Sequence, residues 1–139
     1  MRGIRHDTKV EALRSSCLFE EMPKKHLTEL ARRSEDMDVA AGKVLVKEGG
    51  TGNEFFVIVD GEAEVTRKGK RIATRGPGEF FGEMALLEDV PRTATVTAKT
   101  PLRFFVLTRQ SFLRLLDDEP TVERKVLRAL ARRALASDA

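Results

Sequence analysis

Phe80-Phe81-Gly82-Glu83-Met84-Ala85-Leu86-Leu87-Glu88-Asp89-Val90-Pro91-Arg92-Thr93-Ala94-Thr95-Val96 is the stretch on which the reading of this chain turns. It sets a helix-like segment inside β-like sequence. Glu83–Leu87 has the composition of one to two helical turns, while aromatic or β-branched residues stand on either side. Gly82 permits a sharp exit from a strand and a close approach of backbone to a bound group. The free N–H groups at the start of a short helix favour an anion, by roughly 0.3–2 kcal/mol for a charge in place. Arg92 follows Pro91, which restricts the backbone that presents it, and its planar fork can grip two phosphate oxygens. Glu83 adds an acceptor able to hold vicinal hydroxyls. An anion cradle, an arginine clamp and a carboxylate beside them suit a sugar phosphate.

Working outward, the chain from Met37 onward consists of short apolar or alternating segments cut by Gly42, Gly49, Gly50, Gly52, Gly61, Gly69, Gly76, Gly78 and Gly82. Brief strands with glycine corners predict a small antiparallel β-barrel or jelly roll. Asp60-Gly61 predicts a hairpin between Phe55–Val59 and Glu62–Arg67, and Lys68-Gly69 a second one leading into Arg71–Thr74. The pattern resumes with Thr93–Thr97 and Leu102–Leu107. Both ends read as helical. Asp7 is placed to cap a first helix, Pro23 to open one with the stripe Leu27, Leu30, Ala31, and Thr108 to cap one with Phe112, Leu115 and Leu116. Glu119-Pro120 starts a last helix carrying Val122, Val126, Leu127, Leu130, Ala134 and Leu135. The expected organisation is one domain over residues 1–139: helices over 1–36, β-barrel over 37–108 with the special stretch at 81–96, and two C-terminal helices over 109–136.

The stretch closely resembles the phosphate-binding cassette of the cyclic nucleotide-binding domain family, found in cAMP- and cGMP-dependent kinases, gated channels and catabolite activator regulators. The family pattern of Gly-Glu-x-Ala-Leu, a short gap, then Arg-Ser/Thr/Ala-Ala is met by Gly82, Glu83, Ala85, Leu86, Arg92, Thr93 and Ala94. A second family stretch matches Leu45-Val46, Gly49, Gly52, Phe55–Ile58 and Gly61, so the resemblance covers nearly the whole chain. It implies a non-enzymatic receptor for cAMP, with cGMP as a second ligand. Backbone N–H groups near Gly82, Ala85 and Thr93 would hold the cyclic phosphate, Arg92 would neutralise it, and Glu83 would hold the ribose 2′-hydroxyl. Val65 stands where the family packs against the base. With Met84, Ala94 and Arg128 these residues make up the expected ligand-binding set. Thr93 and Arg128 are the expected polar contacts to a guanine, and cAMP is expected to be modestly favoured. Two departures qualify the resemblance. Asn53 replaces an aspartate that pairs with the clamp arginine in some members, and the last helix offers no aromatic cap, only Leu127, Arg128, Leu130 and Ala131.

Composition fits this reading. At 41% hydrophobic and 34% charged the chain has a globular balance, and its longest apolar run, Phe55–Val59, is far below the ~20 residues of a membrane span. Charges run through the first thirty residues, so no signal peptide is expected. The lone Cys17 suits a reducing, cytoplasmic setting. The net charge of +3 is modest, and the basic run from Arg124 to Arg133 reads as a solvated helix face. No helix-turn-helix segment follows the last helix, so direct DNA binding is not expected. His6 and His26, both N-terminal, cannot supply the inward histidines of a metal-dependent barrel enzyme, and Ser15, Ser16 and Cys17 have no recognisable base. No metal or cofactor is expected. The regulated partner, a dimer, and the choice between a stand-alone protein and a piece of a larger one are left open. The alternative function is a degenerate domain used only for protein contacts.

Overall fold

The structure is a computed structural model and describes residues 9–88 and 90–138. Asp7 and its expected cap lie outside the described residues, as does His6. Residues 9–14 are helical. Pro23 stands at the N-cap of α1 (Lys24–Arg33), which buries the expected stripe Leu27, Leu30 and Ala31. The strands then follow: β1 (Glu35–Val39), β2 (Val44–Val46), β3 (Glu54–Asp60), β4 (Ala63–Arg67), β5 (Lys70–Arg75) and β6 (Phe80–Phe81). A short helix, α2 (Glu83–Glu88), precedes β7 (Thr95–Ala98) and β8 (Leu102–Thr108). Two helices close the chain, α3 (Arg109–Asp118) and α4 (Pro120–Asp138). Thr108 caps α3 as expected: its side-chain oxygen accepts a hydrogen bond from the Ser111 N–H at 3.1 Å.

The fold is mainly antiparallel β with flanking helices. The strands form two four-stranded sheets, ordered β1-β8-β3-β6 and β2-β7-β4-β5. This is the jelly-roll form of the expected architecture, with two facing sheets and no continuous ladder closing them into a barrel. Two apolar clusters fill it. Between the sheets lie Phe56, Ile58, Phe81 and Phe104 from the first and Ala63, Val65 and Val96 from the second. On the outer face of the first sheet, Phe55, Val57, Phe80 and Phe105 pack against helical residues including Leu27, Phe112, Val122 and Val126. Successive residues of β3 therefore serve opposite clusters, which is why Phe55–Val59 reads as an unbroken apolar run: neighbouring side chains on a strand point to opposite faces, and here both faces are covered. Each buried Phe of this kind is worth about 1.5–3 kcal/mol of removed apolar surface.

One expected hairpin forms and the other does not. Lys68 (φ 53°) and Gly69 (φ 78°) join β4 to β5, with Arg67 paired to Lys70; positive φ at both positions is what a two-residue hairpin requires. At Asp60-Gly61 the chain instead crosses between sheets, because β3 pairs with β6 and β8 while β4 pairs with β5 and β7. Gly61 (φ 90°) is needed for the crossing: an added Cβ would stand 2.2 Å from the Pro101 carbonyl oxygen. The turn chemistry was legible, but the strand pairing was decided by which faces could be buried.

Candidate ligand-binding site

The stretch quoted at the outset forms one wall of a cavity of about 600 Å³. The second sheet supplies an apolar wall from Val46, Val65, Ala73 and Val96, and α4 reaches over with Leu130, Arg133 and Ala134. Gly82 adopts φ 93°, and a Cβ there would stand 2.9 Å from the Glu54 carbonyl oxygen and 3.1 Å from Arg92 Nη1. The backbone at the mouth of α2 is therefore open only to glycine.

Arg92 is only 6% exposed. Its Nη1 donates to the Gly82 carbonyl at 2.9 Å and its Nη2 to the Glu54 carbonyl at 3.0 Å. Both partners are neutral main-chain oxygens, in keeping with Asn53 standing in place of an acid. The main chain of Arg92 is fixed as well, its N–H donating to Gly50 and its carbonyl accepting from Gly49, each at 2.8 Å. An added Cβ on Gly52 would lie 2.7 Å from Arg92 Nη2. Gly52 of the second matching stretch thus makes room for the Arg92 side chain. Burial pushes the Arg92 pKa below its ordinary value, with Glu54 and Glu83 opposing the shift. A guanidinium stays charged even so.

Glu83 opens α2 and is 4% exposed. It forms an ion pair with Arg133 of α4. Arg133 also donates to the Phe80 carbonyl at 2.6 Å, and its guanidinium lies 4.3 Å from the centre of the Phe80 ring. The last helix is thereby tied to the residues that flank Gly82.

Of the residues expected at the site, Gly82, Glu83, Met84, Arg92, Thr93, Ala94 and Val65 line the cavity together. Ala85 lies within α2. Arg128 is not brought there: it is exposed on the outer side of α4, and the register instead turns Leu130, Arg133 and Ala134 inward. Leu127, 59% exposed, faces away from the cavity too. Sequence reasoning missed Arg67, Arg75, Arg132 and Arg133, all of which line the cavity, Arg132 at its solvent-exposed edge. For Arg133 a signal existed. Val122 and Val126 are buried, and continuing their stripe at helical spacing through Ala129 reaches Arg133. The basic run is thus split. Arg124, Arg128 and Arg132 are solvated, whereas Arg133 meets Glu83 and Lys125 donates to the Cys17 carbonyl at 2.6 Å and pairs with Glu21 at 2.9 Å. That hydrogen bond from Lys125 to Glu21 raises the Lys125 pKa.

Among the described residues no cluster of three or more His, Cys, Asp or Glu could hold a metal, and no helix is long and apolar enough to cross a membrane.

Gly82 at the start of α2, the buried Arg92 and the buried Glu83 border one cavity. Residues 37–119 match the cyclic nucleotide-binding domain, and the chain belongs to that family. Among its relatives is a cAMP-dependent protein kinase regulatory subunit of Yarrowia lipolytica, 49% identical over 80 residues, which are 56% of this chain and 21% of that protein. A type II regulatory subunit of Drosophila melanogaster is 31% identical over 121 residues, covering 87% of this chain and 32% of that one. The chain therefore spans a fifth to a third of these curated relatives. In structure it resembles cAMP-bound PfPKA-R, with a TM-score of 0.89 at 28% identity, covering 98% of this chain and 47% of the other.

Proposed function

We propose that this chain is a cyclic-nucleotide receptor module that binds cAMP, and cGMP somewhat more weakly, and passes the binding event to a partner domain or protein through α4. The observation that carries the reading is the buried Arg92, held in place by two carbonyls beside the equally buried Glu83 at the edge of one cavity. Arg92 and the N–H groups around Gly82, Ala85 and Thr93 take the cyclic phosphate, Glu83 takes the ribose 2′-hydroxyl, and the base lies against Val65 under Leu130. Leu86, 1% exposed, shares a cluster with Val122 and Val126. A ligand that draws α2 inward therefore biases how α4 packs, a population shift between two arrangements of the same helix. Kinase regulatory subunits among the relatives support a regulatory role without catalysis. An apolar base wall accepts adenine readily, while strong selection for guanine needs fixed polar partners for its O6 and N1. Calorimetric titration with cAMP, cGMP and a cyclic dinucleotide tests the proposal. Binding of cAMP with cGMP weaker is expected; a protein that binds none of the three would instead be a domain of this fold used only for protein contacts.

A further inference from the structure

Among the described residues five arginines line the cavity, Arg67, Arg75, Arg92, Arg132 and Arg133, against the one carboxylate of Glu83. Arg92 and Arg133 have the partners described above. Arg67 Nε donates to the Thr93 carbonyl at 3.0 Å, and Arg132 is exposed to solvent. Arg75, the last residue of β5, differs from all of these. It is half-buried, its Nε is buried without a hydrogen-bond partner, and its guanidinium makes no ion pair or hydrogen bond among the described residues. The carboxylates whose charge it feels are Glu79 and Glu83. Both are engaged elsewhere, Glu79 Oε1 accepting from the Gly76 N–H at 2.8 Å and Glu83 pairing with Arg133. Burial, and then the charge of Arg133, push the Arg75 pKa below its ordinary value, against the pull of Glu79 and Glu83.

A buried guanidinium N–H with no acceptor is costly. The Nε of Arg75 is short of an acceptor, and a ligand in the cavity that Arg75 lines would bring acceptor oxygens to its guanidinium. The position of Arg75 indicates which oxygen it meets. Arg92 feels Glu54 and Glu83, Arg75 feels Arg133, Glu79 and Glu83, and the one acid common to both is Glu83. Arg75 thus lies within electrostatic reach of Glu83 and Arg133 and lines the same cavity as both, while Arg92 is held on the Gly82 and Glu54 carbonyls. A hydroxyl gives one proton and offers two lone pairs. A carboxylate can take the proton, which leaves the oxygen to be read by a donor.

We infer that Arg75 is a second ribose-reading residue: its guanidinium donates to the 2′-oxygen of the bound nucleotide while Glu83 accepts the proton of the same hydroxyl. The inference rests on the cyclic-nucleotide reading of the cavity and adds the chemistry that makes it specific for ribose. A deoxyribose ligand leaves Arg75 without its acceptor and Glu83 with Arg133 alone.

The test is a cycle between one ligand hydroxyl and one side chain. Wild type, Arg75→Met and Arg75→Lys are titrated calorimetrically with cAMP and with 2′-deoxy-cAMP. In wild type, cAMP binds more tightly than the deoxy analogue. In Arg75→Met the ratio of the two dissociation constants falls roughly tenfold, with Arg75→Lys in between. If Arg75→Met does not fold, Arg75→Lys decides, a reduced ratio supporting the inference and an unchanged one overturning it. Substitutions that weaken both ligands alike, leaving the ratio unmoved, overturn the role of Arg75 while the cyclic-nucleotide reading survives. Wild type that binds neither ligand overturns that reading and this inference together.

Discussion

Arg92 and Arg133 line the same cavity, and they are anchored by different kinds of group. Arg92 is gripped by main-chain carbonyls of Gly82 and Glu54, and its own main chain is bonded to Gly49 and Gly50. Backbone oxygens in a sheet framework do not move without moving the framework, so this arginine is in place before a ligand arrives. Arg133 is carried by a helix and anchored by the side chain of Glu83, the group proposed to meet the ribose, together with the Phe80 carbonyl. Its position depends on what Glu83 is doing. On the proposed reading, the contrast separates a fixed element that would supply affinity from a conditional one that would report occupancy.

The largest effect should come from removing the fixed element. Arg92→Ala leaves a phosphate without its charge partner in a partly dry site, a loss of ~2–5 kcal/mol, or roughly thirtyfold to several thousandfold in the cAMP dissociation constant. The circular dichroism spectrum should stay that of a folded protein. An unchanged dissociation constant would remove Arg92 from the site.

Glu83→Ala strikes both arms of the comparison, because it takes away a proposed ribose contact and the anchor of Arg133 together. A hydrogen bond to a charged group is worth about 1.5–3 kcal/mol, so cAMP should bind roughly ten- to 150-fold more weakly. The mutant should distinguish cAMP from 2′-deoxy-cAMP less well than wild type, the remaining discrimination coming from Arg75. Undiminished discrimination would remove Glu83 from the hydroxyl.

Gly52→Ala sharpens the fixed arm without replacing any residue proposed to contact the ligand. The new methyl group would stand 2.7 Å from Arg92 Nη2 and 3.0 Å from Nε, so the guanidinium must leave its carbonyls. About tenfold weaker cAMP binding is expected, with a melting temperature close to wild type. If binding is unaffected, Arg92 is less rigidly held than its contacts indicate.

Arg133→Met tests the conditional arm and should show the smallest effect. Loss of a partly exposed ion pair should speed cAMP release by about three- to tenfold, with little change in association. In wild type, ligand should add hydrogen-exchange protection across residues 121–135, and the substitution should reduce it. Equal release rates in the two proteins would leave α4 as scaffold only. Truncating the chain after Glu119 is a poorer test, since Val122 and Val126 are both 1% exposed and belong to the helix-side cluster.

Much of the site was legible because its parts are local. A helix over Glu83–Leu87 was expected and α2 spans Glu83–Glu88; the Thr108 cap and the Lys68-Gly69 hairpin also depend on neighbours in sequence. What was not legible depends on register between distant segments. Arg128 and Arg133 look alike in an arginine-rich helix, and only the rotation of α4 against the first sheet sends one to solvent and the other to Glu83. Arg75 ends a strand whose composition gives no reason to look for a cavity there. Asp60-Gly61 has the dipeptide of a hairpin, yet its flanking strands bury different faces and so join different sheets.

The double-sided burial of β3 has a consequence for how the molecule comes apart. Phe55 stacks on Phe112 with ring centres 4.2 Å apart, toward the helices, while its neighbour Phe56 stacks on Phe81 at 4.6 Å, between the sheets. Neither cluster can be dissolved without stripping one face of the strand that walls the other. Two cores joined by a common partition should therefore melt in a single cooperative transition, with calorimetric and van't Hoff enthalpies in agreement. Phe80 and Phe81, which lead directly into Gly82, divide between the same two cores. Occupancy of the cavity should accordingly raise the melting point of the whole domain, helices and sheets alike, by mass action on one unfolding equilibrium.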